Sequence, residues 1–353
     1  MSADESPTNT EAQLKNMLSA FNAFGKPAEG DTGIEVLRNA GMDFDVELQP
    51  IYWSNRGGAV QDNSKFRRVA RTDTNATLGV VSKSFVPFQP KEMAQIGEQI
   101  SGTKDVKWDR VGTTHGGARM MMSFQLPEEY TFGNGDATEK VQTFFYIMNA
   151  HDGSSGLKIV PSPVRLACSN QFPMLDGFLR RMGINPKHLS LRHSSLMHGK
   201  MSDVIKALNI VQNVSEAFTE MTEDMLQVNM DIGARVEYYI DVLGLTQDKE
   251  LVDIKDNPYG LKTRGLNTLN DLMETEELPR NNIGDMPDTA FQAWTTITDF
   301  LDHRKIYNKD GTISEAKVES SIMGSSAKLK NHAFDKLDTR IEEAKAEALV
   351  ATA

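Results

Sequence analysis

The stretch KVQTFFYIMNAHDGSSGLKIVPSPVRLACSN, residues 140–170, sets two apolar runs on either side of a polar turn. The pair Asp152-Gly153 favours the positive φ of a tight turn, so the stretch predicts a β-hairpin. Pro161 and Pro163 cannot donate ladder hydrogen bonds, and we expect the return strand to bulge or change edge there. Ser169 or Asn170 would then cap a following helix.

Turn residues and hydrophobic periodicity along the rest of the chain predict an α+β fold. Strand pairs are expected around the turn at residues 73–75 and around the loop at residues 115–117, and short helices over residues 32–39 and after Pro90. Helical periodicity dominates after Asn170. We therefore expect a mainly antiparallel sheet with bracing helices in the first half and a helical second half. The predicted division is a disordered or loosely helical N-terminal tail (1–30), an α+β core with a basic groove (31–230) and an acidic helical C-terminal region (231–353).

The charges of the chain are segregated. The net charge is −11, yet residues 51–120 hold 11 Lys and Arg against 6 Asp and Glu, and residues 151–210 hold 8 against 3. Residues 211–353 hold 15 against 27. Two basic blocks within an acidic chain predict a local anion-binding face, whereas a uniformly acidic surface would repel phosphate. The alternative is an ordinary fluctuation of charge along a long sequence.

The basic blocks contain aromatic residues among the cations, a pattern typical of grooves for single-stranded nucleic acid. In such grooves Lys and Arg contact phosphates and flat rings stack on bases. The alternative for the rings is an ordinary place in the core. The candidate DNA-binding residues are Lys65, Arg67, Arg68, Arg71, Lys83, Phe85, Phe88, Lys107, Trp108, Arg110, Lys158, Arg165, Arg180, Arg181 and Arg192.

The turn of the opening stretch is a second candidate site. His151, Asp152 and Ser154 would position a ligand, and a nucleophilic pair of Cys168 with His151 is the enzymatic alternative. A lone cysteine at the end of an apolar strand is more often a small buried residue. The sequence holds no phosphate-binding loop, dinucleotide fingerprint or zinc-type spacing, so no catalytic residue, metal or cofactor is predicted.

Targeting features are also absent from the sequence. No apolar run is long enough for a membrane helix, and the acidic, polar start differs from a signal peptide. The single cysteine excludes an internal disulfide. These features predict a cytoplasmic protein with no membrane partner.

Several segments resemble a known family. They include GGARMMMSFQLP (116–127), NAHDGSSGLKIVPSPVRLACSNQF (149–172) and SSIMGSSAKLKNHAFDKL (320–337). In order and content, residues 33–338 resemble phage/plasmid-like proteins that carry a conserved domain of unknown function. More distantly, the chain is similar to single-strand annealing recombinases, which implies an ATP-independent, multimeric protein binding DNA along a basic groove. The resemblance implies a bacterial host cell and assigns no role to individual residues.

These observations favour a non-enzymatic, ATP-independent protein of a phage or plasmid that binds and anneals single-stranded DNA. We expect a homo-oligomer, either a ring or a filament, and contact with a host or phage replication protein. The alternative is a mobile-element accessory protein that binds a host protein, for counter-defence or to modulate replication. Its acidic second half would then contact a basic partner.

Overall fold

The computed structural model describes most of the chain. The described residues are 25–54, 56–58, 60–101, 107–132, 139–165, 179, 189–197, 199, 214–252, 257–282, 284, 286–304, 314–322 and 324–351. The strands are β1 (Lys26–Pro27), β2 (Val46–Ser54), β3 (Val60–Arg71), β4 (Thr77–Ser82), β5 (Lys107–Thr114), β6 (Arg119–Phe132), β7 (Glu139–Ala150), β8 (Leu157–Arg165) and β9 (Ser190–Leu191). The helices are α1 (Gly33–Asn39), α2 (Pro90–Ser101), α3 (Val214–Gln227), α4 (Ile232–Leu243), α5 (Thr263–Glu276), α6 (Ala290–Asp299), α7 (Glu315–Ile322) and α8 (Ser325–Ala351).

A six-stranded antiparallel sheet in the order β1-β5-β6-β7-β8-β9 forms the centre of the first half. Strand β7 carries the apolar run of the opening stretch, and both of its faces are buried. Phe145 and Ile147 face the main core, whereas Phe144, Tyr146 and Met148 pack in a second cluster that includes residues of α7. Because successive strand residues point to opposite faces, a strand covered on both sides needs this continuous apolar sequence.

A second sheet has three antiparallel strands in the order β2-β3-β4. It meets the first sheet where β4 passes the turn between β7 and β8. A Cβ built on Gly79 of β4 would lie 2.6 Å from the Cα of Asp152, so only glycine allows this approach. The turn is therefore pressed against the three-stranded sheet.

The second half is helical, and its core contains ion pairs. Every residue of α6 is buried. Lys330 of α8 binds Asp302, and both side chains are fully buried. Arg280 binds Asp299, which is also buried, with N–O distances of 2.6 and 2.8 Å. The α+β prediction, with an antiparallel first half and a helical second half, is confirmed. The sequence did not indicate that the strands divide into two sheets.

Local signals near the N-terminal end of the described chain are also confirmed. The helix α1 ends at Asn39, as the sequence predicts, and Thr32 caps it in a reciprocal arrangement with Glu35. The hairpin around residues 73–75 joins β3 to β4, and the one around residues 115–117 joins β5 to β6. Helix α2 begins at Pro90.

The expected bulge at Pro161 and Pro163 is wrong. Strand β8 pairs with β7 without a register shift from Lys158 to Arg165. Strand β9 pairs only with Leu157 and Lys158, so the other edge of β8 has no strand partner among the described residues at the prolines. Two prolines of the same parity lose ladder bonds on that edge alone and leave the pairing with β7 intact.

Several sequence predictions fall outside the described residues. They concern the tail up to residue 24, the helix cap at Ser169 or Asn170, and the positions of Cys168, Arg180 and Arg181. Within the described part of the chain, no helix is both long and apolar enough to cross a membrane.

Candidate functional sites: a cationic cavity and an aromatic hairpin arm

A cavity of about 440 Å³ opens between the β7–β8 turn and the helices α7 and α8. We call it the cationic cavity, because three of its ten lining residues are cations and one is an acid. Its lining residues are Arg119, Ser154, Ser155, Lys158, Ala316, Glu319, Ser320, Gly324, Ser325 and Lys328. The walls come from segments more than 150 residues apart in the sequence, which the packing of α7 on the six-stranded sheet brings together.

Glu319 connects α7 to the sheet. Its carboxylate accepts hydrogen bonds from the Thr114 hydroxyl at 2.6 Å and from Arg119 Nη1 at 2.6 Å. The His115 ring lies 3.3 Å from the same carboxylate. Because Glu319 is nearly buried, these charge-assisted bonds satisfy an acid that would otherwise be costly to desolvate.

Arg119 also binds the turn. Its Nε donates to Asp152 at 2.9 Å, and Asp152 Oδ1 accepts from the backbone N–H of Ser154 at 2.8 Å. Burial alone would lower the pKa of Arg119, but hydrogen bonds and charge from Asp152 and Glu319 raise it above its usual value. Burial alone would raise the pKa of Asp152, but its bonds to Ser154 and Arg119 lower it. Both groups are therefore charged at neutral pH and fix the shape of the turn.

The three predicted residues of the turn have different positions. Ser154 lines the cationic cavity, and Asp152 orients Arg119. His151 requires a correction, because its side chain is fully buried, 3.4 Å from Asn149, and lies against the Phe44 ring. Burial lowers the pKa of His151 to about 3. A buried neutral imidazole of this kind supports the core and cannot contact a ligand in the cavity.

The second feature is an exposed hairpin at the end of the three-stranded sheet. The pairing of β2 with β3 shifts between Pro50 and Tyr52, and beyond this bulge residues 52–54 pair with residues 60–62 without a third strand among the described residues. We call residues 52–66 the hairpin arm; Asn55 and Ala59 within it are not described. Adjacent strand residues point to opposite faces, yet Tyr52 and Trp53 are both exposed, so neither face of the arm is covered by described residues.

Three aromatic side chains of the hairpin arm face solvent. Tyr52 is 61% exposed, Trp53 49% and Phe66 46%. Asn63 shapes the return strand, since its Oδ1 accepts from the backbone N–H groups of Lys65 and Phe66 at 3.0 and 3.1 Å. Most aromatic rings bury their large apolar area, so a group of exposed rings marks an interaction surface.

The cations of this sheet fall into two groups. Lys65 and Lys83 are exposed and adjacent, because the Lys83 backbone N–H donates to the Lys65 carbonyl at 2.9 Å. Arg67, Arg68 and Arg71 instead bind their own sheet. Arg67 donates to the carbonyls of Asn63 and Phe66, Arg68 to Thr77, Gln49 and Asn75, and Arg71 to Asp73 while lying 3.9 Å over the Phe44 ring.

The three rings predicted to stack on bases require a correction. Phe85, Phe88 and Trp108 are 8%, 1% and 7% exposed and belong to the main core. Trp108 packs edge-on against Phe124, and a Cβ on Gly97 of α2 would overlap its indole. A base needs an open ring face, so these residues cannot stack without unfolding part of the core.

The remaining predicted cations are dispersed. Lys107 and Arg110 lie on β5 of the other sheet, Lys158 lines the cationic cavity, and Arg192 is exposed after β9. Arg165 ends β8, and its side chain is not described. The described residues therefore do not bring all the predicted cations into one groove.

Sequence reasoning missed the rings of the arm and the helical wall of the cavity. Tyr52 and Trp53 precede the Gly-rich turn at residues 55–58, a signal that the strand end extends into solvent. For the cavity the signal was the segment SSIMGSSAKLK (320–330), which holds four serines and two lysines and no acid. Among the described residues, no group of three or more His, Cys, Asp or Glu side chains could hold a metal ion.

Comparison with known proteins identifies a family and no activity. The family model described as "Domain of unknown function (DUF932)" matches residues 77–338, about three quarters of the chain. No curated protein matches the chain, and no solved structure does. The cationic cavity lies within the matched range and the hairpin arm precedes it. The chain belongs to the family defined by this domain of unknown function, as the resemblance predicted.

Proposed function

We propose that the chain binds single-stranded DNA through the hairpin arm and promotes annealing of complementary strands without ATP. The observation that carries the proposal is the exposure of Tyr52, Trp53 and Phe66 beside the cations Lys65 and Lys83. Ring faces open to solvent are available to stack on bases on either face of the arm, and each stacked base contributes about 1–3 kcal/mol.

The charge around the arm supports an anionic ligand. Residues 46–83 hold six Lys and Arg against three Asp and Glu, within a chain of net charge −11. Arg56, Lys65 and Lys83 are the exposed cations of this segment, and contacts with phosphates would release counterions. Arg67 donates to the carbonyls of Asn63 and Phe66, so its role in this proposal is to hold the arm in shape. Arg68 and Arg71 bind residues of the sheet outside the arm.

The wider parts of the proposal follow from the two family resemblances and, for the cytoplasm, from the single cysteine of the sequence. They are a homo-oligomer that extends the DNA site, a phage or plasmid origin, and action in the cytoplasm of a bacterial host. Annealing needs bases held outward on a screened backbone; in this proposal the exposed rings hold the bases and Arg56, Lys65 and Lys83 screen the phosphates.

Fluorescence anisotropy of a labelled oligonucleotide at low salt tests the binding. We expect the wild-type protein to bind, with an affinity that falls as salt rises. The double variant Tyr52→Ala/Trp53→Ala should bind at least tenfold more weakly, by the usual contribution of about 1–3 kcal/mol per stacked base. Ile232→Ala is the matched control, since Ile232 is 60% exposed on α4. No binding at low salt, or equal binding by the arm variant, would overturn the proposal.

Annealing is tested separately with two complementary labelled strands. We expect wild-type protein to accelerate duplex formation equally with and without ATP, and the arm variant to lose the acceleration. If the protein binds strands but leaves the annealing rate unchanged, the annealing part of the proposal is wrong and the binding part stands. If it binds no DNA and retains a host protein through its acidic second half, the accessory-protein alternative replaces the proposal.

A further inference from the structure

We propose that the cationic cavity is a binding site for a phosphate-bearing anion, separate from the hairpin arm. The cavity has the volume of a small-molecule site, about 440 Å³. Among the described residues its walls include no large apolar side chain, because Ala316 and Gly324 are the only nonpolar lining residues in that part of the chain. The occupant that fits such walls is small, polar and negatively charged.

The charge balance of the cavity favours an anion. Its one acid, Glu319, already accepts hydrogen bonds from Thr114 and Arg119. The ammonium groups of Lys158 and Lys328 form no hydrogen bond or ion pair with any described residue. Two lysines therefore face the cavity without a counter-charge from the described part of the chain, and an anion would supply one.

Arg119 offers a further donor. Its Nε donates to Asp152 and its Nη1 to Glu319, which leaves Nη2 without an acceptor among the described residues. The two carboxylates hold the guanidinium plane in place, so this donor is fixed in advance. A fixed guanidinium beside two lysines is a combination that recognises phosphate oxygens.

Hydroxyl groups complete the lining, and they are held by hydrogen bonds within the protein: Ser155 Oγ donates to the Gly156 carbonyl at 3.2 Å, and the Ser320 and Ser325 hydroxyls bond each other at 2.8 Å. Ser154 and Ser155 come from the β7–β8 turn, and Ser320 and Ser325 from the helical wall. A phosphate monoester presents three oxygens and up to two charges, which matches the two lysines and the Nη2 donor of Arg119. The phosphate could belong to a free anion or to the end of a nucleic-acid strand.

Calorimetric titration with inorganic pyrophosphate tests the free-anion source. We expect wild-type protein to bind pyrophosphate and Lys158→Gln/Lys328→Gln to bind it at least tenfold more weakly. Lys336→Gln is the matched control, since Lys336 lies on the same helix but pairs with Asp241 away from the cavity. It should bind within twofold of wild type, and circular dichroism should show all variants folded.

A pair of oligonucleotides, identical except for a 5′-phosphate or a 5′-hydroxyl, tests the strand-end source. If that source is correct, the phosphorylated strand binds more tightly and the difference disappears in the double lysine variant. The inference is overturned if the double variant binds pyrophosphate like wild type, or if wild type neither binds pyrophosphate nor distinguishes the two strands. Trp53→Ala should retain pyrophosphate binding, which separates this inference from the function proposed for the hairpin arm.

Discussion

Two sets of aromatic rings in the first half of the chain have opposite environments. Phe85, Phe88 and Trp108 lie in the core, whereas Tyr52, Trp53 and Phe66 are exposed. Both sets lie beside lysines and arginines in the sequence, so composition does not separate them. The difference is whether the supporting segment packs into the main core, as the loop after β4 and strand β5 do, or lies at or beyond the bulge at the start of the hairpin arm.

The arginines and lysines of the three-stranded sheet show the same contrast. Each of the three arginines of β3 binds side chains or carbonyls of its own sheet, and the two neighbouring lysines remain exposed. Arginine's planar group with five donors suits several fixed acceptors, whereas a lysine ammonium stays hydrated on a flexible stem. The rigid part of the sheet and its contact surface thus use different cations.

The largest expected effect on stability comes from replacing the buried Trp108, in comparison with the exposed Trp53. Trp108→Ala should lower the free energy of unfolding by about 3–5 kcal/mol, because it leaves a cavity between Phe124 and the helix that carries Gly97. Trp53→Ala should change it by less than about 0.5 kcal/mol, since that ring is half exposed. Urea denaturation of both variants measures the contrast, and equal losses would show that the hairpin arm packs on the body.

A smaller effect is expected from the buried histidine of the β7–β8 turn. Burial lowers the pKa of His151 to about 3, below the usual value of 6.5. Below about pH 6.5 the His151 imidazole is protonated in the unfolded chain, whereas in the folded protein it stays neutral until about pH 3. The protein therefore keeps the full contribution of this group to stability above about pH 6.5 and loses it as the pH falls toward about 3. The slope approaches about 1.4 kcal/mol per pH unit, or roughly 2–3 kcal/mol between pH 6.5 and 4.5.

Urea titrations at several pH values measure this slope. His151→Gln should flatten the acid-side slope even though the variant is less stable overall, because no titrating group remains at that position. His115→Gln is the control, as His115 is half exposed at Glu319. An unchanged slope in His151→Gln would contradict the assigned burial of the imidazole.

The smallest expected effects come from replacing an arginine or a lysine of the three-stranded sheet. Arg68→Gln should cost about 1 kcal/mol of stability, because it removes hydrogen bonds to Thr77 and Gln49. Lys65→Gln should leave stability unchanged and reduce the slope of log affinity against log salt by about 0.7, the value for one single-strand phosphate contact. Anisotropy at four salt concentrations measures the slope. A stability loss in Lys65→Gln with an unchanged slope would reverse the assigned roles.

Much of the fold could be predicted from local sequence patterns. The capping residues around Thr32 and Glu35, the turn at residues 73–75 and the apolar run of β7 each have a short-range physical cause, and the structure has all three elements. The unbroken pairing through Pro161 and Pro163 was not predictable, because it depends on where β9 ends. The effect of a proline on strand pairing depends on which edge of the strand its missing backbone N–H would have faced.

The candidate sites could be predicted from the sequence only in part. Ser154 and Lys158 were identified, but their partners on α7 and α8 lie some 160 residues away and only the packed structure joins them. The exposed rings were missed because exposure is a property of the tertiary structure. Trp53 and Trp108 each lie near cations in the sequence, so the neighbouring residues do not show that Trp108 is buried and Trp53 exposed.

The intrinsic fluorescence of Trp53 provides the most direct test of the proposed role of the hairpin arm. The chain has three tryptophans, of which Trp108 and Trp294 are buried and Trp53 is exposed. If bases stack on the arm, a single-stranded oligonucleotide should quench the emission of wild-type protein as it binds. Trp53→Phe should bind within a few-fold of wild type without the quench. Binding with no change in emission, or an equal quench in Trp53→Phe, would contradict the account.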